Sequence, residues 1–285
     1  MPELPEVETV KNTIWKVLNH NKIERLELQR QDLRFPLPAD LTEKLTGQRF
    51  IDAKRHGKYI LLFMTSENVL IVHLGMTGRF LIEHENFDEH IFYHKNNIKP
   101  EHEHVIFHMS DGLRVSYYDP RRFGYMDVAS QNMLYKNRFL VKLGPDALNI
   151  SDHIDNFADH LKRIKTPIKN ALLNQDILAG VGNIYASEAL WRAKINPVRP
   201  ACHLSHDEII ALSGHIQDIL KEAIQAGGST LKDYRTSNDE KGYFQNNFDV
   251  YDRQDRLCSR DDGGIIQKSV MSGRATYFCP VCQAS

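Results

Sequence analysis

The chain has 285 residues, 41% hydrophobic and 26% charged, which is enough for two domains with adequate cores. Its formal net charge of −1 does not advertise nucleic-acid binding, so any such role must rest on local clusters, such as the basic segment 162–169 or Arg121-Arg122. No apolar run is long enough to span a bilayer, and no basic region precedes an apolar stretch at the N-terminus, so a cytoplasmic protein without membrane contact is expected.

The chain opens Met1-Pro2-Glu3-Leu4-Pro5-Glu6. Removal of the initiator Met, usual before a small residue, would leave Pro2 as a terminal secondary amine able to form a Schiff base with an aldehyde. An α-amino group titrates near ~8 against about 10.4 for Lys, so far more of it is neutral and nucleophilic at pH 7. Glu3 stands beside it as a proton donor or acceptor. The same residues also read as a helix start, with Pro in the first turn and Val7, Val10, Ile14 and Val17 on one face. Both readings hold together, because a helix would aim its first residues at a fixed target.

Strands follow. Segment 22–29 alternates around Ile23, Leu26 and Leu28, and 59–64 and 69–72 are compact apolar runs separated by a turn at 65–68. Segments 105–109 and 113–118 flank Ser110-Asp111-Gly112, a hairpin signal. Many short strands predict a β-sandwich or barrel over the first ~130 residues.

Helices then take over. Thr166-Pro167 reads as an N-cap followed by Pro at the first helical position. Ser205 to Glu208 forms a capping box, Leu204 and Ile209 its hydrophobic staple, and Ile209, Leu212, Ile216, Ile219 and Ala223 a buried face that ends at Gly227-Gly228. From Phe248 a β-hairpin is expected, with an apolar face of Ile265, Ile266, Val270, Tyr277 and Phe278.

Three constellations carry chemistry. Gly180-Val181-Gly182-Asn183 between helical segments suits close backbone approach and phosphate binding at a helix start, or an ordinary packing corner. Asp119-Pro120-Arg121-Arg122-Phe123-Gly124 offers an aromatic wedge with an Arg for base edges or phosphate, and Met76 in His73-Leu74-Gly75-Met76 a second wedge. Cys258, Cys279 and Cys282 resemble an incomplete zinc ribbon: the second pair is intact, but no Cys follows Cys258 closely, so Asp261 or Asp262 would supply an oxygen donor, water would fill the fourth position, or the site would stay empty.

Together these segments resemble the formamidopyrimidine-DNA glycosylase family. The match runs through 2–9, Gly57-Lys58-Tyr59, 73–76, 119–124, 180–188, 227–233, 242–244 and 273–279, in the family's order and over nearly the whole chain. The resemblance implies an α+β, multidomain fold: an N-terminal β-sandwich with the Pro2 helix (1–135), a helical domain with a helix–two-turns–helix (136–247), and a zinc-ribbon-like hairpin (248–285). DNA would lie in the cleft between domains.

The resemblance also implies a bifunctional glycosylase and AP lyase that flips an oxidised purine out of damaged double-stranded DNA. Pro2 would be the nucleophile and Glu3 the proton donor to the opening sugar. Lys58 would serve elimination and contact phosphate, and Arg274 would hold phosphate at the ribbon tip. His102, Arg121, Lys165 and Asn183 match DNA contacts, with His104 close to His102. Met76, Arg121 and Phe123 match the trio that fills the hole left by the flipped base. One structural zinc would sit on Cys258, Cys279, Cys282 and Asp261 or Asp262. A monomer is expected, in a bacterial cytoplasm. Two alternatives stand beside this reading. An endonuclease VIII-like enzyme for oxidised pyrimidines would usually carry Gly where Leu4 stands and lack the Asp119–Gly124 wedge. A non-catalytic DNA-binding module would follow if Met1 stays on.

Overall fold

The computed structural model describes residues 2–84, 99–229 and 244–284. Met1 and the matching residues 230–233, 242 and 243 lie outside them. The chain divides into two compact units, 1–141 with 227–242, and 142–226 with 243–285.

The first unit begins with α1 (Leu4–Leu18). Glu3, not Pro2, caps it, and Glu6 Oε2 accepts the Glu3 N–H at 2.9 Å. Pro5 takes the first-turn place where a missing N–H costs nothing. Pro2 therefore stands ahead of the helix instead of inside it. Val7, Val10, Ile14 and Leu18 are buried; the apolar stripe closes on Leu18, four residues past Ile14, while Val17 is half-buried.

Among the described residues eight strands follow, with a short helix α2 (Leu41–Leu45) after the first. They are β1 (Ile23–Leu28), β2 (Phe50–His56), β3 (Tyr59–Met64), β4 (Asn68–His73), β5 (Arg79–His84), β6 (Glu103–Met109), β7 (Leu113–Tyr118) and β8 (Tyr125–Ser130). All pairings are antiparallel, in two four-stranded sheets of order β1-β6-β7-β5 and β2-β3-β4-β8. The shared core takes alternate residues from each: Ile60, Leu62, Leu70 and Val72 from one, Phe80, Ile82, Val105, Phe107, Val115 and Tyr117 from the other, with α1 packed in. This is the expected sandwich. Fully burying each such side chain contributes about 1.5–3 kcal/mol.

The second unit holds α3 (Ile154–Leu161), α4 (Ile168–Leu173), α5 (Asn183–Arg192) and α6 (His206–Gln225). The α4 cap is Pro167, one residue later than the Thr166 expected. The Ile168 N–H goes to the Arg199 carbonyl, and Pro167 bridges to Pro200, so the chain is still extended at Pro167. Helix α6 has the expected Ser205–Glu208 capping box and buries Ile209, Leu212, Ile216, Ile219 and Ala223. Gly227 and Gly228, at φ 76° and 82°, turn the chain away from its end. The unit closes with a hairpin of β9 (Gln267–Met271) and β10 (Arg274–Phe278). Its small core is Trp191, Val250, Cys258, Ile266, Tyr277 and Cys279. Ile265 and Val270 are exposed at 52% and 74%, so only part of the predicted apolar face is used.

Candidate active site and DNA interface

Pro2 and Glu3 are buried at the head of α1. Glu6, one turn further, braces them: besides the Glu3 N–H, it accepts the Ser229 N–H at 2.8 Å and the Ser229 hydroxyl at 3.0 Å through Oε1. A Cβ at Gly228 would press on the Glu6 side chain at 3.1 Å, so glycine admits this close approach.

Lys58 sits in the tight turn between β2 and β3 and is 6% exposed, which rules out a surface Lys trailing into solvent. Arg55 ties the turn to α1. Its Nε donates to Glu8 Oε2 at 2.9 Å and its Nη1 to the Gly57 carbonyl at 3.0 Å. The charge of Lys58 is felt at His73. Burial first, then Lys58 and Arg34, push the His73 imidazole down to about 3. Neutral His73 accepts the Gly75 N–H on Nδ1 at 3.0 Å and stacks on Tyr125 with centroids 4.8 Å apart.

The residues expected to act as wedges occupy two adjoining segments of this unit. Met76 is half-buried in the turn after β4. Phe123 is 42% exposed in the loop between β7 and β8, and the exposed Arg121 guanidinium lies 4.7 Å from its ring centre. The loop is therefore an aromatic presented to solvent, not an ion pair covering a buried one. The Arg121 N–H reaches the Thr77 hydroxyl oxygen at 3.3 Å, joining the two segments. His102 is half-buried, edge-on to Tyr118 at 5.6 Å. Burial holds His104 below the ordinary imidazole range, and its Nε2–H donates to the Asp119 carbonyl at 2.8 Å. Of the two imidazoles, His102 is the accessible one.

In the second unit Arg274 is exposed as the first residue of β10, after Ser272 and Gly273 at φ 48° and 74°. Asn183, the first residue of α5, donates from Nδ2 to the Ala275 carbonyl at 2.9 Å. Lys169 donates to the same carbonyl at 2.9 Å and to the Thr276 hydroxyl oxygen at 2.8 Å. The sequence offered this Lys only as the last cation of the basic segment 162–169, and the structure buries it fully instead of leaving it in that exposed cluster. Lys165 is exposed ahead of α4, and Lys169 rather than Lys165 meets the hairpin. Glu188 was likewise passed over: buried in α5, it accepts the N–H groups of Asp249, Val250 and Tyr251 at 2.7–3.0 Å. It fixes the segment leading into the cysteine cluster.

That cluster gathers Cys258, Asp262, Cys279 and Cys282, with ligand atoms within 4.8 Å of one another. Cys258 and Cys282 sulfurs are 4.0 Å apart, and Cys279 sulfur lies 3.5 Å from Asp262 Oδ2. Tetrahedral zinc with Zn–S bonds of ~2.3 Å spaces its ligands by about 3.8 Å, so the donor set fits. Asp262, not Asp261, enters the cluster. Asp261 is exposed at φ 52° and turns the chain, while Asp262 Oδ1 takes the Gly264 N–H at 2.8 Å, which holds its carboxyl below the usual range. A Cβ at Gly264 would collide with the Cys279 sulfur, so a glycine is needed beside the donors.

Two family models match the chain: the formamidopyrimidine-DNA glycosylase N-terminal domain over residues 1–126, and the formamidopyrimidine-DNA glycosylase H2TH domain over 143–235. A formamidopyrimidine-DNA glycosylase of Phenylobacterium zucineum is 46% identical over 292 residues, covering 99% of this chain and all of its own. The chain belongs to the formamidopyrimidine-DNA glycosylase family. Among solved structures, wild-type Lactococcus lactis Fpg bound to DNA containing N7-benzyl-Fapy-dG superposes with a TM-score of 0.85 at 32% identity, covering 100% of both chains. The same enzyme with abasic-site DNA gives 0.84 at 31% identity, covering 99% of this chain and 100% of its own. Both formamidopyrimidine-DNA glycosylase models end before Cys258, so the case for a metal rests on this chain's own geometry.

Proposed function

We propose that this protein is a bifunctional DNA glycosylase and AP lyase of base excision repair, acting on oxidised purines in double-stranded DNA. The observation that carries the reading is the arrangement at the head of α1. Pro2 precedes a helix whose first turn is fixed by Glu6, Glu3 caps that helix, and Lys58 is held by a turn that Arg55 ties to it. The membership in the formamidopyrimidine-DNA glycosylase family and the relatives' complexes with Fapy-dG and abasic-site DNA support it.

In this reading the damaged nucleotide leaves the stack, and Met76, Arg121 and Phe123 fill the space. The Pro2 nitrogen attacks C1′ while Glu3 delivers a proton to the ring oxygen. The base departs and an imine joins Pro2 to the opened sugar. Loss of a C2′ proton expels the 3′ phosphate, and a second elimination expels the 5′ phosphate, leaving a one-nucleotide gap. Lys58 assists proton transfer and holds phosphate. Arg274 holds phosphate at the hairpin tip, since guanidinium rarely gives up its proton. Asn183 and Lys169 support that tip through Ala275. His102 and Lys165 add contacts to the DNA backbone.

Cys258, Asp262, Cys279 and Cys282 would hold one zinc ion. When bound, zinc cross-links the two ends of the hairpin and supplies no chemistry to the DNA.

Borohydride trapping on an 8-oxoguanine:cytosine duplex, set against a thymine-glycol duplex, tests the substrate class. Faster trapping on the oxidised purine is expected. Preference for thymine glycol would favour the endonuclease VIII-like alternative.

A further inference from the structure

Asp119 is fully buried, and its carboxylate faces two different segments. Oδ1 accepts the Thr77 hydroxyl at 2.5 Å, in the turn that carries Met76. Oδ2 accepts the Gly124 N–H at 2.8 Å, one residue beyond Phe123. The Thr77 oxygen in turn accepts the Arg121 N–H at 3.3 Å, so the hydroxyl links both segments at once.

The backbones are also interlocked. A Cβ at Gly75, where φ is 62°, would collide with the backbone of Phe123 and Gly124. A Cβ at Gly78 or at Gly124 would collide with the Tyr117 hydroxyl, which lies between the two segments and 3.4 Å from the His73 carbonyl. Burial first, then the neighbouring Asp119, keep that phenol protonated and so a donor. His104 fixes the Asp119 backbone from the other side through its bond to the carbonyl. Three glycines, a phenol and a carboxylate thus leave the two segments little freedom to move separately.

We propose that Asp119 is a positioning residue that clasps the Met76 turn and the Arg121–Phe123 loop into a single body, so that the side chains enter the DNA together. This rests on the reading that Met76, Arg121 and Phe123 fill the vacated space. Its consequence is kinetic. Two independently hinged wedges would enter at their own rates, whereas one body enters in one step. Asp119 touches neither base nor sugar in this scheme; it acts through Thr77 and Gly124.

The test uses two full-length reporter proteins, Met76→Trp and Phe123→Trp, mixed with an 8-oxoguanine duplex in stopped flow. With Thr77 and Asp119 intact, both reporters should follow the same rate constant. Introducing Thr77→Val, which removes the bridging hydroxyl, or Asp119→Ala should separate the two rates. A split of about threefold or more is expected from coupling energies between contacting residues. Thr77→Val decides the matter if Asp119→Ala does not fold. Reporters that respond to lesion DNA yet keep one shared rate in Thr77→Val would overturn the clasp alone. Reporters that respond no differently to lesion and undamaged duplexes would overturn the wedge reading, and the clasp with it.

Discussion

The Arg55 guanidinium joins Glu8 of α1 to the carbonyl of Gly57, through bonds of 2.9 and 3.0 Å. One side chain thereby links the helix that begins behind Pro2 to the turn that presents Lys58. Orientation of this kind is where a small displacement costs most in rate.

Arg55→Ala should therefore slow elimination about tenfold or more while leaving lesion affinity within a few-fold. It also removes one of two cations on Glu8, the other being Lys11 at 2.6 Å, and should cost about 2 kcal/mol of stability. Single-turnover strand cleavage and urea unfolding measure the two effects. An unchanged cleavage rate would mean that the turn holds its place without Arg55.

His73 makes stability depend on acid. Its imidazole titrates at about 3 in the folded chain against 6.5 when exposed, so the unfolded chain binds the extra proton first. The His73 contribution is complete above pH 6.5 and is lost as pH falls from 6.5 towards 3. The slope is about 1.4 kcal/mol per pH unit, so roughly 2 kcal/mol should go between pH 6.5 and 5. Urea unfolding at pH 7.5 and 5.0 should show His73→Gln losing less than wild type by about that amount. Equal losses would assign the acid sensitivity to other groups.

Much of this was legible in the sequence, and the gaps have physical reasons. Strands β3, β4 and β7 announced themselves because their runs are buried on both sides or alternate cleanly. Strand β2 did not: it lies at a sheet edge, and after Phe50 it runs through half-buried or exposed Asp52, Lys54, Arg55 and His56. At the first helix the opening residues hold two prolines, and only the structure shows that Pro5, not Pro2, is the one in the first turn. Pro2, Glu3, Lys58, Met76, Arg121 and Phe123 could be picked out as candidates by type and motif. Lys169, Glu188 and Asp119 could not be given roles, because their partners lie 5 to 107 residues away and are mostly backbone groups. Choosing between Asp261 and Asp262 needed the positive φ at Asp261, which composition does not reveal.

A salt-sensitive interaction with DNA is expected despite the near-neutral total charge. Each phosphate neutralised by Lys58, Arg121, Lys165 or Arg274 should add about −0.9 to the slope of log K against log salt. Exposed Lys165 gives the simplest variant: Lys165→Ala should lower the slope magnitude by about 1 on lesion and undamaged duplexes alike. A flat wild-type plot would remove all four cations from the interface, and an unchanged slope in Lys165→Ala would remove Lys165.

The cysteine cluster makes a compositional prediction. Protein purified without chelator should carry one zinc per chain by elemental analysis, and Cys279→Ser should lose it. Asp262→Ala should yield its zinc to a chelator sooner than wild type, Asp262→Cys later, and Asp261→Ala at the wild-type rate. Loss in Asp261→Ala with retention in Asp262→Ala would reverse the ligand assignment.

The central claim is that Pro2 is the nucleophile, and the site of the covalent bond to DNA tests it most directly. The protein is incubated with an 8-oxoguanine:cytosine duplex and borohydride, digested, and the cross-linked peptide sequenced by mass spectrometry. The sugar remnant should be found on the nitrogen of an N-terminal Pro2 with Met1 removed, and Glu3→Gln should lose base excision while still binding the duplex. A remnant on Lys58, or a cross-link formed by protein that retains Met1, would contradict the account.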